Sequence, residues 1–163
     1  MPQPSSPRSS TALQRHLASE TDTLRLGAQL ARALRPGLMV YLSGDLGAGK
    51  TTLVRGLLRE MGWSGPVKSP TYALVEIYSL FNFDLYHFDL YRFNNALEWE
   101  DSGFGEYCHS GSVCLVEWPE KAAGVLPDAD LRIDLQPRDD TRDAQILALT
   151  ARGEACLHEL PDF

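Results

Sequence analysis

Between Ser19 and Leu34 the apolar and small residues Leu24, Gly27, Ala28, Ala31 and Leu34 recur at helical spacing. Ser19, followed three positions later by Asp22, gives this helix a capping-box-like start, and Arg35-Pro36-Gly37 ends it. Leu38 to Leu42 is a short apolar run without polar alternation, which predicts a strand covered on both faces of a largely parallel sheet. A glycine-rich turn follows directly. Beyond it, Thr52 to Met61 predicts a helix with Leu53, Leu57 and Leu58 on one side, closed by Gly62. Tyr72 to Leu80 and Phe81 to Phe93 are rich in aromatic and β-branched residues and predict two strands that pair as neighbours. Val113 to Val116 predicts a second central strand, whose C-terminal end faces any ligand. Leu131 to Leu135 and Gln145 to Thr150 predict a closing hairpin, with its polar turn at Gln136 to Asp143.

Composition bounds this picture without changing it. The 163 residues suffice for one ordinary domain, and 44% apolar with 23% charged residues is usual for a soluble globular chain. The Pro/Ser-rich start, Met1 to Ser10, has no apolar centre; it argues against a secretory signal and for a disordered head over 1–18, leaving 19–163 as a single domain. No apolar run reaches the roughly 18 residues of a membrane span, so a soluble, cytoplasmic protein is expected. Cys108, Cys114 and Cys156 show neither zinc spacing nor a disulfide framework and read as reduced thiols.

Charge is distributed unevenly along the chain. Residues 1–60 carry eight Lys/Arg against four Asp/Glu, whereas residues 61–163 carry seven against eighteen, for a net charge of −7. Such a chain lacks the electrostatic footprint of a protein that grips nucleic acid by itself. Any nucleic acid in its biology is expected to enter through a partner.

The candidate chemistry is concentrated in Gly44-Asp45-Leu46-Gly47-Ala48-Gly49-Lys50-Thr51, which matches GxxxxGK(S/T) between a predicted strand and a predicted helix. Glycines at this spacing let backbone N–H groups wrap phosphate oxygens, and the helix start directs its unpaired N–H groups at the anion. Lys50 is expected to reach the β and γ phosphates of a nucleoside triphosphate, and the Thr51 hydroxyl to ligate Mg²⁺, with Thr52 completing the segment. The resulting fold class is α/β and P-loop NTPase-like: a mainly parallel sheet flanked by helices, with an antiparallel C-terminal hairpin. Such enzymes need an acid at the end of a second strand, and Glu117 after Val113-Cys114-Leu115-Val116 supplies one. Lys68-Ser69-Pro70-Thr71-Tyr72 and His87-Phe88-Asp89-Leu90-Tyr91-Arg92 fit switch-like loops, although each also fits an ordinary turn or strand end.

GDLGAGKTT, KSPTY, HFDLYR and VEWPEK, in this order, resemble the motifs of the bacterial TsaE (YjeE) family over roughly Ser19 to Ala144. The resemblance implies an ATPase needed for threonylcarbamoyladenosine in tRNAs that read codons beginning with A. It implies ATP and Mg²⁺ as cofactors, and a complex of the TsaD transferase subunit with TsaB as the partner that hydrolysis resets, so that tRNA is met only indirectly. By motif match, Lys50 and Thr51 hold phosphate and metal, Glu117 completes the metal site and Asp89 supports hydrolysis, with Trp118 beside them. Glu20, before the first helix, and Arg142, in the closing hairpin turn, are weaker matches to the contacts with base and sugar. The crowded stretch Tyr78 to Asp84 leaves the second strand's register open and sets Asp84 against Asp89, but only Asp89 has His87 and Arg92 in the family's spacing. Glu98 to Phe104 resembles the family's acidic helix, readable as a docking face or as a solvated amphipathic helix.

Two other function classes fit a P-loop. A GTPase ordinarily carries a guanine-reading NKxD segment, and this sequence has none. A small-molecule kinase usually clamps the transferring phosphoryl group with several arginines, yet Arg92 is the only arginine between Arg59 and Arg132.

Overall fold

The computed structural model describes residues 12–161. Seven strands form one sheet: β1 (Ala12–Leu17), β2 (Met39–Ser43), β3 (Val75–Ser79), β4 (Asp84–Asp89), β5 (Ser112–Glu117), β6 (Leu131–Arg138) and β7 (Thr141–Ala148). The helices are α1 (Glu20–Ala33), α2 (Lys50–Glu60), α3 (Leu97–Ser102) and α4 (Ala151–His158). Strand order is β1-β7-β6-β2-β5-β4-β3. The four central strands β6, β2, β5 and β4 run parallel; β7 and β3 lie antiparallel to β6 and β4, and β1, antiparallel to β7, runs in the direction of the central four. Because β2 has β5 on one side and β6 on the other, the loop leaving it opens at the crevice where ligands bind in such sheets.

Alternation along the strands builds two cores. Val40 and Leu42, Leu85, and Val113 and Leu115 face the α1/α2 layer, joined by Leu26, Leu30, Leu53 and Leu57. Met39, Tyr86, Phe88, Cys114 and Val116 face the other way and pack with Trp99 and Phe93. Aromatic rings dominate this second face: Phe88 lies 5.1 Å from Trp99 and 5.3 Å from Phe104, centroid to centroid. Strand alternation thus decides which side chains at the β4 and β5 ends meet the loop before α2.

Helix α1 is capped as its sequence predicts, with the Ser19 side chain accepting from the Asp22 N–H. Asp22 in turn accepts from the Ala18 N–H at 3.0 Å. Helices α1 and α2 cross through two glycines: a Cβ on Gly27 would lie 2.2 Å from the Leu53 carbonyl oxygen, and one on Gly56 would lie 2.2 Å from that of Leu24. Their bare backbones are what allow the approach.

Two expectations need correction, and one element had no sequence counterpart. Residues 12–17, assigned to a disordered head, form β1 and pair with β7 from Ala12 opposite Leu147 to Leu17 opposite Arg142. Backbone pairing to a strand far along the chain leaves little local pattern in Ala12–Leu17, so the Pro/Ser-rich composition was extended too far; Met1 to Ser10 themselves lie outside the described residues. The closing hairpin turns tightly, with Arg138 opposite Thr141, so Arg142 sits in β7 opposite Pro137 instead of in a polar turn. Helix α4 follows the hairpin, where the sequence suggested no further element.

Thr150 caps α4 by accepting from the Gly153 N–H at 3.1 Å, and donates to buried Asp130 at 2.7 Å. The other Asp130 oxygen accepts from the Met39 N–H at 2.9 Å, which ties α4 to the start of β2. Thr150→Ala is expected to cost about 1–2 kcal/mol, read from the urea midpoint at unchanged slope. No helix of the described residues is long and apolar enough to cross a membrane.

Candidate nucleotide-binding site

The loop from Gly44 to Gly49 joins the end of β2 to the start of α2. Gly47 and Gly49 have φ of 81° and 101°, backbone that side-chain-bearing residues adopt only at a cost. Gly49 is the N-cap of α2 and gives it no side-chain hydrogen bond, so the first-turn N–H groups remain available to an anion. Lys50, the first helical residue, is only 8% exposed. Its Nζ donates to the Gly44 carbonyl at 2.6 Å and lies 3.0 Å from Glu117 Oε1.

The acids arrive on neighbouring strands. In the β4–β5 register Asp89 lies opposite Glu117 and His87 opposite Leu115, so His87, Asp89 and Glu117 share the face that looks toward α2. His87 Nε2 and Glu117 Oε2 are 2.5 Å apart, with side chains 0% and 3% exposed. Burial alone would push the Glu117 carboxyl up, but the hydrogen bond and charge of His87, together with those of Lys50, outweigh it and hold it below the ordinary carboxylate range. Asp89 goes the other way: burial pushes it up and nearby Glu117 adds to that, against the opposing hydrogen bond from the Tyr91 N–H. Two adjacent carboxylates are thereby driven apart in acidity, a pattern common at catalytic sites.

The switch-like segments close around these acids. Thr71 Oγ1 donates to Asp89 at 3.4 Å and shares a 2.7 Å hydrogen bond with Ser69 Oγ. Arg92 donates to the Thr71 carbonyl at 3.2 Å and lies over the Tyr72 ring at 4.4 Å. Trp118 adopts left-handed backbone, φ 58°, which turns the chain straight after Glu117. Its ring lies 5.2 Å from Lys50 Nζ and 5.0 Å from the Tyr91 ring.

Together these elements line a cavity of about 510 Å³, within the range of small-molecule sites. Of the residues singled out from the sequence, Leu46, Gly47, Gly49, Lys50, Thr51, Thr52, Asp89, Glu117 and Arg142 line it. Arg142 reaches it from β7, with Nη2 3.4 Å from the Gly47 carbonyl. Ala48 is buried at 1% exposure, its N–H donating to Asp45 O. Asp45 lines a neighbouring cavity of about 800 Å³, with Tyr41, Arg132, Asp134 and Gln136. Glu20 is exposed at the start of α1 and lines neither cavity. Although larger, the second cavity lacks Thr51, Asp89 and Glu117, so the chemistry belongs to the first.

Sequence reasoning singled out neither Ser69 nor Tyr91 individually, although both stand inside the two switch-like segments. It also missed the Lys50–Glu117–His87 chain, because its members are scattered from residue 50 to 117 and meet only where the start of α2 packs beside the β4–β5 register.

Comparison with known proteins agrees with this architecture. The family model described as "Threonylcarbamoyl adenosine biosynthesis protein TsaE" matches residues 17–145. The tRNA threonylcarbamoyladenosine biosynthesis protein TsaE of Haemophilus influenzae is 44% identical over 148 residues, covering 88% of this chain and 94% of that protein. That of Bacillus subtilis is 37% identical over 145 residues, covering 85% and 87%. The crystal structure of Bacillus subtilis YdiB superposes with a TM-score of 0.79 at 31% identity, covering 91% of this chain and 93% of that one. A P-loop between β2 and α2, paired acids at the ends of β4 and β5, and these relatives lead to one conclusion: the chain belongs to the TsaE family of tRNA threonylcarbamoyladenosine biosynthesis proteins.

Proposed function

We propose that the chain is an ATPase that binds ATP with Mg²⁺, docks on the TsaD–TsaB complex and resets it by hydrolysis, during modification of tRNAs that read codons beginning with A. The observation that carries the ATPase part is the convergence of Lys50, Thr51, Asp89 and Glu117 on one cavity at the start of α2. Family membership supports the pathway, and the net charge of −7 suits a protein that meets tRNA only through partners.

The residues present fit the implied cofactors. Among the described residues no group of three or more His, Cys, Asp or Glu is placed to hold a metal. That suits Mg²⁺, which typically takes one or two protein oxygens and completes its shell with phosphate and water. Thr51 and Glu117 would hold it, and its charge would neutralise that developing on the phosphate oxygens. Lys50 is already desolvated and aimed along the loop; a triphosphate replaces Glu117 as its partner, and His87 keeps Glu117 in place after the exchange. Asp89, backed by the Tyr91 N–H and Thr71, accepts a hydrogen bond from the attacking water and aligns it.

Hydrolysis by the purified chain with ATP and Mg²⁺, alone and with purified TsaD and TsaB, tests the reading. Lys50→Ala should abolish turnover, and Asp89→Ala should spare nucleotide affinity while lowering turnover about a hundredfold. ATP-dependent binding of TsaD–TsaB with altered turnover supports the whole proposal. Hydrolysis that ignores both partners leaves an ATPase and removes the assigned docking; no nucleotide binding at all removes both.

A further inference from the structure

On the face of the sheet away from α1 and α2, Cys108 Sγ and Cys114 Sγ lie 2.8 Å apart, and neither is in a disulfide. Non-bonded heavy atoms usually settle at about 3.5–4.0 Å, and a disulfide needs about 2.05 Å, so the pair stands inside contact distance and within about 0.8 Å of bonding. The local fold holds it there. Cys114 is fixed in β5 among Met39, Tyr86 and Val116, at 1% exposure. Cys108 follows the 3-10 turn Phe104–Tyr107 and is half-buried. The intervening loop is tied by Ser112 Oγ, which donates to the Tyr107 carbonyl at 2.6 Å and accepts from the His109 N–H at 3.1 Å.

We propose that Cys108 and Cys114 are a redox-active dithiol, closed to a reversible disulfide by a hydroperoxide, with Cys108 attacking the oxidant and Cys114 resolving. In the first step the Cys108 thiolate attacks the protonated oxygen of the hydroperoxide, the O–O bond breaks, and the departing oxygen takes a proton from solvent, giving Cys108 sulfenic acid and water or an alcohol. In the second, the Cys114 sulfur attacks the Cys108 sulfur, the S–O bond breaks, and the hydroxyl leaves as water with the Cys114 thiol proton as the S–S bond forms. Both sulfurs are oxidised by one electron each and one peroxide is reduced.

The order of attack follows from access and from the contact itself. Cys108 is the more exposed, and its contact with Cys114 lowers its thiol against the opposing effect of burial. The same contact, with burial, pushes Cys114 up, and its Sγ–H also points to the Tyr107 carbonyl at 3.7 Å. Cys156 provides an internal reference: it is buried in the helical core, and burial pushes it up to about 12. Closure clips the aromatic turn carrying Phe104 and Tyr107 onto β5, three residues before Glu117.

The full-length chain, treated with hydrogen peroxide, quenched with N-ethylmaleimide under denaturing conditions and digested with trypsin, gives the test. Both cysteines fall in one tryptic peptide, Phe93 to Lys121. The expected product is that peptide lighter by two hydrogens and unalkylated, restored by dithiothreitol, while Cys156 stays fully alkylatable. Cys114→Ser should trap a dimedone-reactive sulfenic acid at Cys108, and Cys108→Ser should leave Cys114 unlabelled; matching circular dichroism spectra confirm that both variants fold. Full alkylation of both thiols after peroxide, or sulfinic acid at Cys108 with free Cys114, overturns the proposal. Equal labelling of the two serine variants overturns the assigned order.

Discussion

Glu117→Gln is expected to lower ATP turnover by about a hundred- to a thousandfold, because it removes the charge that completes the site while keeping the shape of the side chain. Nucleotide affinity without Mg²⁺ should not fall, since the backbone N–H groups that meet phosphate are untouched and Lys50 loses a competing charged partner. Measuring affinity with and without Mg²⁺ beside single-turnover hydrolysis separates the two effects. The same variant has a stability signature in the absence of nucleotide. Glu117 stands between two buried partners, Lys50 at 3.0 Å and His87 at 2.5 Å, and an amide there costs about 1–3 kcal/mol at neutral pH. The sign with pH follows from the depressed Glu117 carboxyl. A carboxylate more acidic in the folded state stabilises it above the ordinary carboxylate range, and that contribution is lost as pH falls through the folded value. Urea midpoints of the two proteins should therefore converge in acid; a constant gap down to the lowest folded pH would refute the ion-pair account.

Gly27→Ala or Gly56→Ala is expected to cost about 3 kcal/mol each, at the upper end of overpacking, because the new Cβ would stand 2.2 Å from a carbonyl oxygen of the facing helix. A backbone oxygen cannot rotate away as a side chain can, so the two helices must separate. One separation serves both methyl groups, because the glycines belong to the same crossing. The double variant should accordingly lose clearly less than the sum of the single losses, a coupling measurable by urea denaturation. Strict additivity would mean that the two sites relax independently. Since α2 carries Lys50 and Thr51 at its start, the single variants should also weaken nucleotide binding.

Legibility in the sequence followed the range of the forces involved. Helix α1 with its Ser19 cap, the strand–loop–helix around Gly44 to Thr51, and β5 ending at Glu117 all rest on local pattern, and all stand where the sequence placed them. What depends on partners far along the chain was not readable. Ala12–Leu17 becomes an edge strand only because β7 is there to pair with it. The motif match names Arg142 as a contact but places it in a turn; it reaches the cavity from β7, opposite Pro137, a register that nothing near it in the chain announces. His87 was one histidine in a plausible switch segment until the β4–β5 register brought it to Glu117.

Trp118 turns the chain in left-handed backbone directly after Glu117. A tryptophan held at φ 58° and ψ 49° occupies a conformation that glycine adopts more cheaply, by roughly 1 kcal/mol. Trp118→Gly therefore relieves torsional strain while stripping the ring from one wall of the cavity, beside Lys50 and Tyr91. Because that ring also packs against the second core, the packing lost with it exceeds the strain relieved, so a melting curve alone would report a destabilised variant and hide the backbone strain that the ring's place in the wall requires.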